Sequence, residues 1–374
     1  MIYADNAATT QLDEEAFEAM KPFLLDCYAN ASQPYSFAKK AKQALKEARK
    51  TIAECINAEP EEIIFTSGGT ESDNWAIKGF AFSDLGRKAV ITSQIEHHAV
   101  LNSCYEIERL GHPVAYLPVT DKGIVTTNSL RDFITPNTGL VSVMAANNEI
   151  GSIQNIKVLA KIAHDNGALF HTDAVQAVGH IPIDVNELGV DMLSASAHKF
   201  YGPKGIGFLY KAKTYNAIRP FHNGGSQEYA MRAGTENIAA IVGMAIAMKK
   251  NTSEIEETTK HLCKLSEVFL TELRKSSVDF ILNGHPSDRL PGNINISIRN
   301  HSGEGLMHML DLKGICISTG SACDSVNQTV SHVIEAINVP EKYSAGTIRI
   351  SFGKHNTTQE AIILAETLIK ILRI

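Results

Sequence analysis

The sequence of 374 residues lacks several features that mark whole classes of protein. It has no apolar stretch long enough to span a membrane, and it has no block of lysine and arginine residues. Its formal net charge is −6, which argues against binding of nucleic acid through a basic surface. The N-terminus shows neither the basic region nor the apolar segment of a signal peptide. We therefore expect a cytoplasmic protein whose partners include neither a membrane nor a nucleic acid.

Cysteine is also sparse, with six residues that are scattered along the chain. No Cys-x-x-Cys pair occurs, so the sequence predicts neither a metal site nor a disulfide framework, and a reducing compartment fits. Five of the six thiols are flanked by apolar or helical residues and are interpreted as core or incidental. Cys323 differs, because it lies among small and polar residues in 318–325. Most cysteines only pack in the core, but an exposed polar loop makes Cys323 a candidate nucleophile.

Two common nucleotide-binding motifs are missing as well. The predicted first strand is not followed by Gly-x-Gly-x-x-Gly, and no glycine-rich loop ends in Gly-Lys-Ser or Gly-Lys-Thr. The sequence has instead Ser-Gly-Gly-Thr-Glu-Ser at 67–72, between a strand and a helical stretch. Glycines allow the backbone to approach an anion, and a helix N-terminus supplies N–H donors, so this turn is a candidate phosphate site. The alternative is a plain helix cap.

The apolar runs of the first two thirds of the chain alternate with helical patterns. Predicted strands cover 62–66, 89–92, 140–145, 168–171, 191–197 and 205–210, and a helix capped by Asn155 is predicted to run to Gly167. This alternation is typical of an α/β fold with a mostly parallel sheet. From about residue 252 the pattern changes to a polar helix at 253–275, short strands near 292–298 and 315–318, and a closing helix after Thr358. We predict a large domain over 14–251 and a smaller α+β domain over 1–13 and 252–374.

Polar residues whose side chains could take part in binding or catalysis directly follow the predicted strands. They are Gly69, Thr70 and Glu71, then Glu96 and His97, then Asn148 and Glu149, then Asp173 and Gln176, and finally Ser196, His198 and Lys199. Open α/β sheets bind ligands at the carboxyl ends of their strands. The spacing therefore predicts one binding site at that edge of the sheet.

Lys199 is the most informative of these residues, because it follows a buried strand and precedes a Gly-Pro turn. A desolvated lysine at such a place can form a Schiff base. The alternative is a solvated loop lysine, and Lys204 in the same turn is a rival for the role.

Three further side chains each have a functional and a structural interpretation. Asp173 ends a buried strand and either pairs with a protonated pyridine nitrogen or caps the next helix. His97 either stacks on a ring or is an ordinary loop histidine. Arg349 alternates with apolar residues in Thr-Ile-Arg-Ile-Ser, and it either pairs with a structural carboxylate or binds a substrate carboxylate.

Nine motifs in order resemble those of one known family. They are Tyr-Ala-Asp-Asn-Ala-Ala-Thr-Thr (3–10), Phe-Thr-Ser-Gly-Gly-Thr-Glu-Ser (65–72), Glu-His (96–97), Asn-Asn-Glu-Ile-Gly (147–151), Asp-Ala-Val-Gln (173–176), Ser-Ala-His-Lys (196–199), Arg-Ala-Gly-Thr (232–235), Gly-Ser-Ala-Cys (320–323) and Ile-Arg-Ile-Ser (348–351). Over nearly its whole length the chain resembles the pyridoxal-phosphate cysteine desulfurases of the NifS/IscS type, among the class V aminotransferases. The resemblance implies the PLP-dependent transferase fold of the aspartate aminotransferase type.

The resemblance also implies a role for each matching residue. It implies that Lys199 binds pyridoxal 5′-phosphate covalently and then moves protons, and that Cys323 takes sulfur from L-cysteine as a persulfide while alanine is released. Asp173 is implied to pair with the ring nitrogen, Gln176 to contact the ring hydroxyl, and His97 to stack on the ring as part of the catalytic set. The phosphate is implied to bind Gly69, Thr70, Ser196 and His198, together with Thr235 of a second subunit in a homodimer. Asn148 and Arg349 are implied to hold the substrate carboxylate, and Asn148 also to contact the cofactor. A sulfur-acceptor protein, such as an iron–sulfur scaffold, is the implied partner.

Two departures from the family pattern bear on rate. Tyr35 stands where a histidine is common, and Asp324 follows the cysteine where threonine or serine is usual. We expect a carboxylate beside the thiol to raise the pKa of Cys323 and so to slow thiolate formation. The alternatives to a cysteine desulfurase are a selenocysteine lyase, another class V aminotransferase, and a cofactor-binding partner protein without activity.

Overall fold

The computed structural model describes residues 1–83, 86–215, 218–319 and 330–373. The strands in these ranges are β1 (Ile2–Tyr3), β2 (Ile63–Thr66), β3 (Ala89–Ser93), β4 (Val114–Leu117), β5 (Thr138–Ser142), β6 (Leu169–Asp173), β7 (Met192–Ser196), β8 (Gly207–Lys211), β9 (Phe280–Leu282), β10 (Asn293–Ile298), β11 (Ile315–Cys316) and β12 (Thr347–Ser351). The α-helices are α1 (Glu14–Leu25), α2 (Lys39–Cys55), α3 (Gly69–Ala81), α4 (His98–Arg109), α5 (Thr127–Phe133), α6 (Ile156–Asp165), α7 (Val185–Leu188), α8 (Ile238–Ser253), α9 (Ile255–Arg274), α10 (Gly303–Asp311), α11 (His332–Ala336), α12 (Glu341–Ser344) and α13 (Thr358–Ile371). None of the helices in the described ranges is both long and apolar enough to cross a lipid bilayer.

The largest sheet in the described part of the chain has seven strands in the order β2-β8-β7-β6-β5-β3-β4. Its pairings from β7 through β6, β5 and β3 to β4 are parallel, whereas β8 runs antiparallel to both of its neighbours, β2 and β7. The predicted mostly parallel α/β sheet is confirmed. The edge strand β4 was not predicted, because three of its four residues are only half-buried and its sequence lacks a continuous buried run.

Alternate residues of this sheet pack on opposite faces, as the two-residue period of a strand requires. Ile63 and Phe65 of β2 belong to the main hydrophobic cluster, with residues of α2, α6 and α8. Ile64 between them packs on the other face with Trp75 and Phe80 of α3. Both faces are therefore covered by helices, which explains why the residues of the central strands are buried whichever face they occupy.

The second half of the chain builds a smaller antiparallel sheet in the order β12-β10-β9. Its hydrophobic cluster includes Leu265 and Phe269 of α9 and Leu364 of α13. Ile2 and Ala4 belong to the same cluster, because β1 pairs in parallel with β11. The N-terminus thus packs with residues more than 250 positions later in the sequence, and it then continues across the large sheet.

Helix ends follow their sequence signals closely. Asn155 caps α6 by accepting a hydrogen bond from Val158 N, as predicted. The helix ends at Asp165, and Gly167 follows with φ +73°, the left-handed conformation that glycine tolerates. The predicted helix over 253–275 is observed as α9, and the closing helix begins at Thr358 as predicted.

A short segment beside β2 has unusual backbone geometry. Glu228, Tyr229 and Ala230 have φ values of 45°, 59° and 61°, and each such non-glycine residue costs roughly 1–2 kcal/mol. The buried guanidinium of Arg49 holds the Glu228 carboxylate with contacts of 2.7 and 2.6 Å, and Phe65 N donates to the same carboxylate at 2.9 Å. This buried ion pair opposes the backbone strain and fixes the segment.

Candidate active site

A cavity of about 620 Å³ lies at the carboxyl ends of the parallel strands. It is lined by all of the predicted site residues in the described ranges except Thr235, namely Gly69, Thr70, His97, Asn148, Asp173, Gln176, Ser196, His198, Lys199 and Arg349. Thr235 is exposed and does not line this cavity. Cys323 lies outside the described residues. The fold therefore brings together residues from the large sheet and from β12 of the small sheet, which the sequence spreads over 280 positions.

Lys199 lies in the turn after β7, where the strand ends and a single helical turn begins. Its Nζ donates to the main-chain carbonyls of Ala7 and Ala8 at 2.6 and 2.7 Å. The rival Lys204 also lines the cavity, but it is exposed whereas Lys199 is half-buried. Desolvation is what makes a lysine amine reactive, so the burial favours Lys199.

One end of the cavity is formed by the turn after β2 and the N-terminus of α3. A Cβ atom on Gly69 would lie 2.5 Å from Val175, and Gly68 has φ +150°. The helix N-terminus and Lys204 make this end electropositive, and Ser196 and His198 supply polar side chains. Glu71 steadies the turn, because it accepts from Ser67 N at 2.7 Å and pairs with Arg232 at 2.9 Å.

A buried acidic layer lies at the end of β6. The Asp173 carboxylate accepts from Val175 N at 2.9 Å, and burial raises its pKa above the ordinary range. Asp73 of α3 is buried beside it, and burial together with the charge of Asp173 raises the pKa of Asp73 well above its usual value. A cationic group in the cavity would offset this accumulation of carboxyl groups.

The buried side chain of His171 lies beside Asp73. His171 contacts Ser142 Oγ through Nδ1 at 2.8 Å and Ser194 Oγ through Nε2 at 3.0 Å, and its Nε2 lies 3.7 Å from Asp73 Oδ1. Burial lowers the pKa of His171 to about 3, so the ring is neutral at physiological pH. Asp73 Oδ1 has no hydrogen-bond partner among the described residues.

His97 caps α4, with Nδ1 accepting from Ala99 N at 3.1 Å. Burial and the charge of Lys199 lower the pKa of His97 to about 4, so a neutral ring faces the cavity. The preceding Glu96 is fully buried and accepts from Ser93 Oγ at 2.5 Å and from Met144 N at 3.0 Å. Burial raises the pKa of Glu96 to about 8.

Arg349 of β12 lies at another part of the lining and is 4% exposed. Its Nη1 donates to the carbonyl of Asn148 at 3.0 Å, and its Nη2 to Asp5 Oδ1 at 2.8 Å. Arg349 therefore has a structural carboxylate partner, as one interpretation predicts. It also lines the cavity, and its binding of a substrate carboxylate stays a prediction.

Sequence reasoning missed part of the N-terminal segment 3–10. The sequence identifies this segment as a family motif but assigns no role to its individual residues. In the structure, Ala7 and Ala8 line the cavity and accept from Lys199, the Ala7 carbonyl also accepts from Gln176 at 3.0 Å, and Asp5 pairs with Arg349. The available signal was the density of polar and small residues in Asp-Asn-Ala-Ala-Thr-Thr.

The residues that flank 320–329 contact residues that line the cavity or are adjacent in sequence to its lining. Ser318 pairs through its backbone with Arg349, at 3.1 and 2.7 Å. Ser331 Oγ donates to the buried Glu149 at 2.7 Å, and His332 Nε2 contacts the Glu96 carbonyl at 3.0 Å. The described residues on either side of 320–329 therefore contact Arg349 or the immediate neighbours of the lining residues His97 and Asn148.

Comparison with known proteins places this geometry in a family. The sequence pattern of the family "Aminotransferase class-V" matches residues 2–364. The chain belongs to that family, and its fold is that of the PLP-dependent transferases, as predicted.

Among curated proteins, it is similar to the cysteine desulfurase IscS of Dictyoglomus turgidum, with 48% identity over 99% of this chain and 94% of that protein. It is also similar to the cysteine desulfurase IscS of Methanosarcina thermophila, with 47% identity over 100% of this chain and 92% of that protein. The predicted resemblance is confirmed.

Solved structures agree with this placement. A NifS-like protein superposes with a TM-score of 0.93 at 36% identity, covering 100% of this chain and 99% of that chain. A structure described as SspA in complex with cysteine superposes with a TM-score of 0.84 at 35% identity, covering 96% of this chain and 100% of that chain.

The lining residues fit the cofactor that this family implies. A phosphate needs N–H donors and a close backbone approach, which the Gly68–Gly69 turn and the α3 N-terminus offer. A pyridinium nitrogen needs a buried carboxylate, which Asp173 offers. An aldehyde needs an amine, and Lys199 presents one in the same cavity.

Proposed function

We propose that this protein is a pyridoxal 5′-phosphate-dependent cysteine desulfurase that converts L-cysteine to L-alanine and retains the sulfur as a persulfide on Cys323. The observation that carries the proposal is the meeting of the Lys199 amine, the Asp173 carboxylate and the Arg349 guanidinium in one cavity. A protein without activity would not need an amine and a substrate-binding cation in the same space.

Pyridoxal phosphate, when bound, supplies an electron sink for bonds to the substrate's α and β carbons. Residues of this chain would hold the cofactor by its phosphate, by its ring nitrogen, and by its ring face and hydroxyl. The phosphate would bind Gly69, Thr70, Ser196 and His198, and Asp173 would keep a proton on the ring nitrogen. The neutral ring of His97 would cover one face, and Gln176 would contact the ring hydroxyl.

Lys199 and Arg349 act on the substrate end. The Lys199 amine holds the cofactor until substrate arrives, and then its Nζ takes and returns protons. Arg349 and Asn148 bind the substrate carboxylate, since a guanidinium offers five N–H donors and a carboxylate offers two acceptors. A fixed carboxylate orients the rest of the substrate.

Cys323 completes the reaction. Its thiolate attacks the substrate sulfur, forming a sulfur–sulfur bond as the carbon–sulfur bond breaks. The electron pair of that bond stays with carbon, which takes a proton, and alanine leaves. The persulfide must then give its sulfur to an acceptor, so we include a sulfur-acceptor protein, for example an iron–sulfur scaffold, among the partners.

Four further features belong to the proposal. The chain is divided into a large domain over 14–251 and a small one over 1–13 and 252–374, supported by separate hydrophobic clusters on each side. It acts as a homodimer in which Thr235 reaches the partner's phosphate site, supported by the exposure of Thr235 away from its own cavity. Its location is the cytoplasm, supported by free thiols at the five described cysteines. Asp324 keeps the basal rate low until pH approaches the thiol pKa.

The test is the reaction with L-cysteine, followed by alanine, sulfide and protein-bound persulfide. We expect all three from the wild type, and none from Cys323→Ser, which should still bind cofactor and L-cysteine. Cys316→Ser is the matched control, because Cys316 is a free, half-buried thiol of nearby sequence and should retain activity.

Each other outcome identifies an alternative. Retained activity in Cys323→Ser would place the nucleophile elsewhere. Activity on selenocysteine alone would indicate a selenocysteine lyase. Transamination without release of sulfide would indicate an aminotransferase. The absence of any reaction would indicate a cofactor-binding protein without activity.

A further inference from the structure

We propose that Asp5 is a resident counter-ion of Arg349 that weakens the site's hold on a substrate carboxylate and so speeds release of the product. The proposal rests on the proposed function, since it assigns to Arg349 the binding of that carboxylate. It adds a residue from the N-terminal segment that sets the strength of binding.

The Arg349 guanidinium is only partly used by the protein. Its Nη2 donates to Asp5 Oδ1 at 2.8 Å and its Nη1 to the Asn148 carbonyl at 3.0 Å. Arg349 Nε is buried without a hydrogen-bond partner in the described part of the chain. A guanidinium carries five N–H groups, so N–H donors remain for a ligand in the cavity that Arg349 lines.

Asp5 is fixed against β12 by the backbone around it. Asp5 forms a parallel bridge with Ser351, Asn6 N donates to the Ser351 carbonyl at 3.1 Å, and Ser351 N donates to the Ala4 carbonyl at 2.8 Å. Ala7 N also donates to Ser351 Oγ at 2.9 Å. These bonds fix the backbone of Asp5 against β12, and its carboxylate lies beside Arg349.

The net charge of the Arg349–Asp5 pair determines how strongly the site attracts a substrate carboxylate. Arg349 alone would present a buried cation, whereas Arg349 with Asp5 presents a neutral pair, because the Asp5 side chain is only 18% exposed and solvent screens it little. A second carboxylate at Arg349 is repelled by Asp5. The neutral pair therefore binds L-cysteine and L-alanine more weakly than the cation would, and alanine leaves sooner.

Two roles for Asp5 make opposite predictions. If Asp5 acts by charge, then Asp5→Asn, which keeps the shape, should tighten carboxylate binding. If Asp5 only orients Arg349, the same change should weaken it. The sign of the effect therefore separates the two roles.

The experiment measures binding of L-alanine to the holoenzyme by calorimetry. We expect Asp5→Asn to lower the dissociation constant by roughly tenfold, equivalent to about 1.4 kcal/mol. The KM for L-cysteine should fall, and kcat should fall with it as alanine leaves more slowly. Asp5→Glu should restore wild-type values, and Asp5→Ser is a second charge-removing variant, should Asp5→Asn not fold.

Asp13→Asn is the matched control. Asp13 is another carboxylate near the N-terminus with cationic partners, Lys250 at 3.1 Å and Lys354 at 3.2 Å. Neither of these lysines lines the cavity, whereas Arg349 does. We expect its alanine dissociation constant to equal that of the wild type.

Weaker or unchanged alanine binding in both charge-removing variants would overturn the proposal. Binding is read without turnover, so a failure of the proposed function shows separately, as a wild type that makes no alanine from L-cysteine. If the wild type makes no alanine from L-cysteine, propionate replaces L-alanine as the carboxylate probe in the same titration. If neither L-alanine nor propionate binds any of the proteins, the proposal is also wrong.

Discussion

Asp173→Asn should move the stability of the apoprotein and the affinity for cofactor in opposite directions. The carboxylate lies at the end of β6, is 5% exposed, and accepts one hydrogen bond from Val175 N at 2.9 Å. Asparagine has the same shape and can accept that bond, so the substitution removes charge and little else.

The sign for the apoprotein follows from the raised pKa of Asp173. Because the folded-state pKa lies above the unfolded one, ionisation is less favourable in the folded protein. The resulting penalty is absent below about pH 4, grows as pH rises, and is complete above the folded-state pKa. At pH 8 the apo form of Asp173→Asn should be more stable by on the order of 1–3 kcal/mol, and the difference should vanish near pH 4.

The effect of Asp173→Asn on cofactor affinity has the opposite sign, since the substitution should weaken binding. A buried ring cation without its carboxylate loses about 3–5 kcal/mol, which corresponds to a loss of affinity of roughly 10²- to 4 × 10³-fold. Thermal unfolding of the apo forms between pH 4 and 8, with equilibrium dialysis of pyridoxal phosphate, measures both quantities.

The control is Asp184→Asn. Asp184 caps α7 by accepting from Asn186 N and Glu187 N, and it does not line the cavity. It should show neither a more stable apo form nor a change in cofactor affinity. If Asp173→Asn behaves like this control in both measurements, Asp173 is a helix cap and the assignment to the ring nitrogen is refuted.

Two other carboxylates give predictions on stability. Burial raises the pKa of Glu96 to about 8, so ionisation of Glu96 should lower the stability of the wild type by at most about 1.4 kcal/mol per pH unit as pH rises from about 4 to 8. In a thermal-unfolding series, Glu96→Gln should lose stability less steeply over this range, because the contribution of Glu96 is removed while that of Asp173 remains. An unchanged slope would contradict the assignment. Glu228→Gln leaves Arg49 buried without its counter-charge and should lower the free energy of unfolding by about 3–5 kcal/mol in urea. Glu187→Gln, which breaks only the exposed pair with Lys157, should cost less than about 1 kcal/mol, and equal effects would show that burial of the Arg49 pair is unimportant.

Much of the fold could be predicted from short-range patterns. Strands β2, β3, β5, β6 and β7 are buried on both faces, so each contains at least two adjacent apolar residues in the sequence. The edge strand β4 is half-exposed and lacks a continuous buried run. The antiparallel direction of β8 depends on its pairing with β2 and β7, and the residues of β8 alone do not predict that direction.

The candidate site was predictable where local order decides it. Parallel strands end at one edge of a sheet, so the residues that follow them, such as Asp173 and Lys199, had to converge there. The neutral ring of His97 was not predictable, because its lowered pKa depends on burial by surrounding elements and on the charge of Lys199.

The sequence by itself determined the order of strands and helices, the family, and the residues at the strand ends, because these depend on neighbours along the chain. Only the tertiary structure decided that Asp5 meets Arg349, 344 positions away, and that Lys199 donates to Ala7 and Ala8. Those contacts exist because β1 pairs with β11 and the N-terminal segment then follows β12 to the cavity. Pairing between distant segments depends on packing of the whole chain, and no local pattern of residues specifies it.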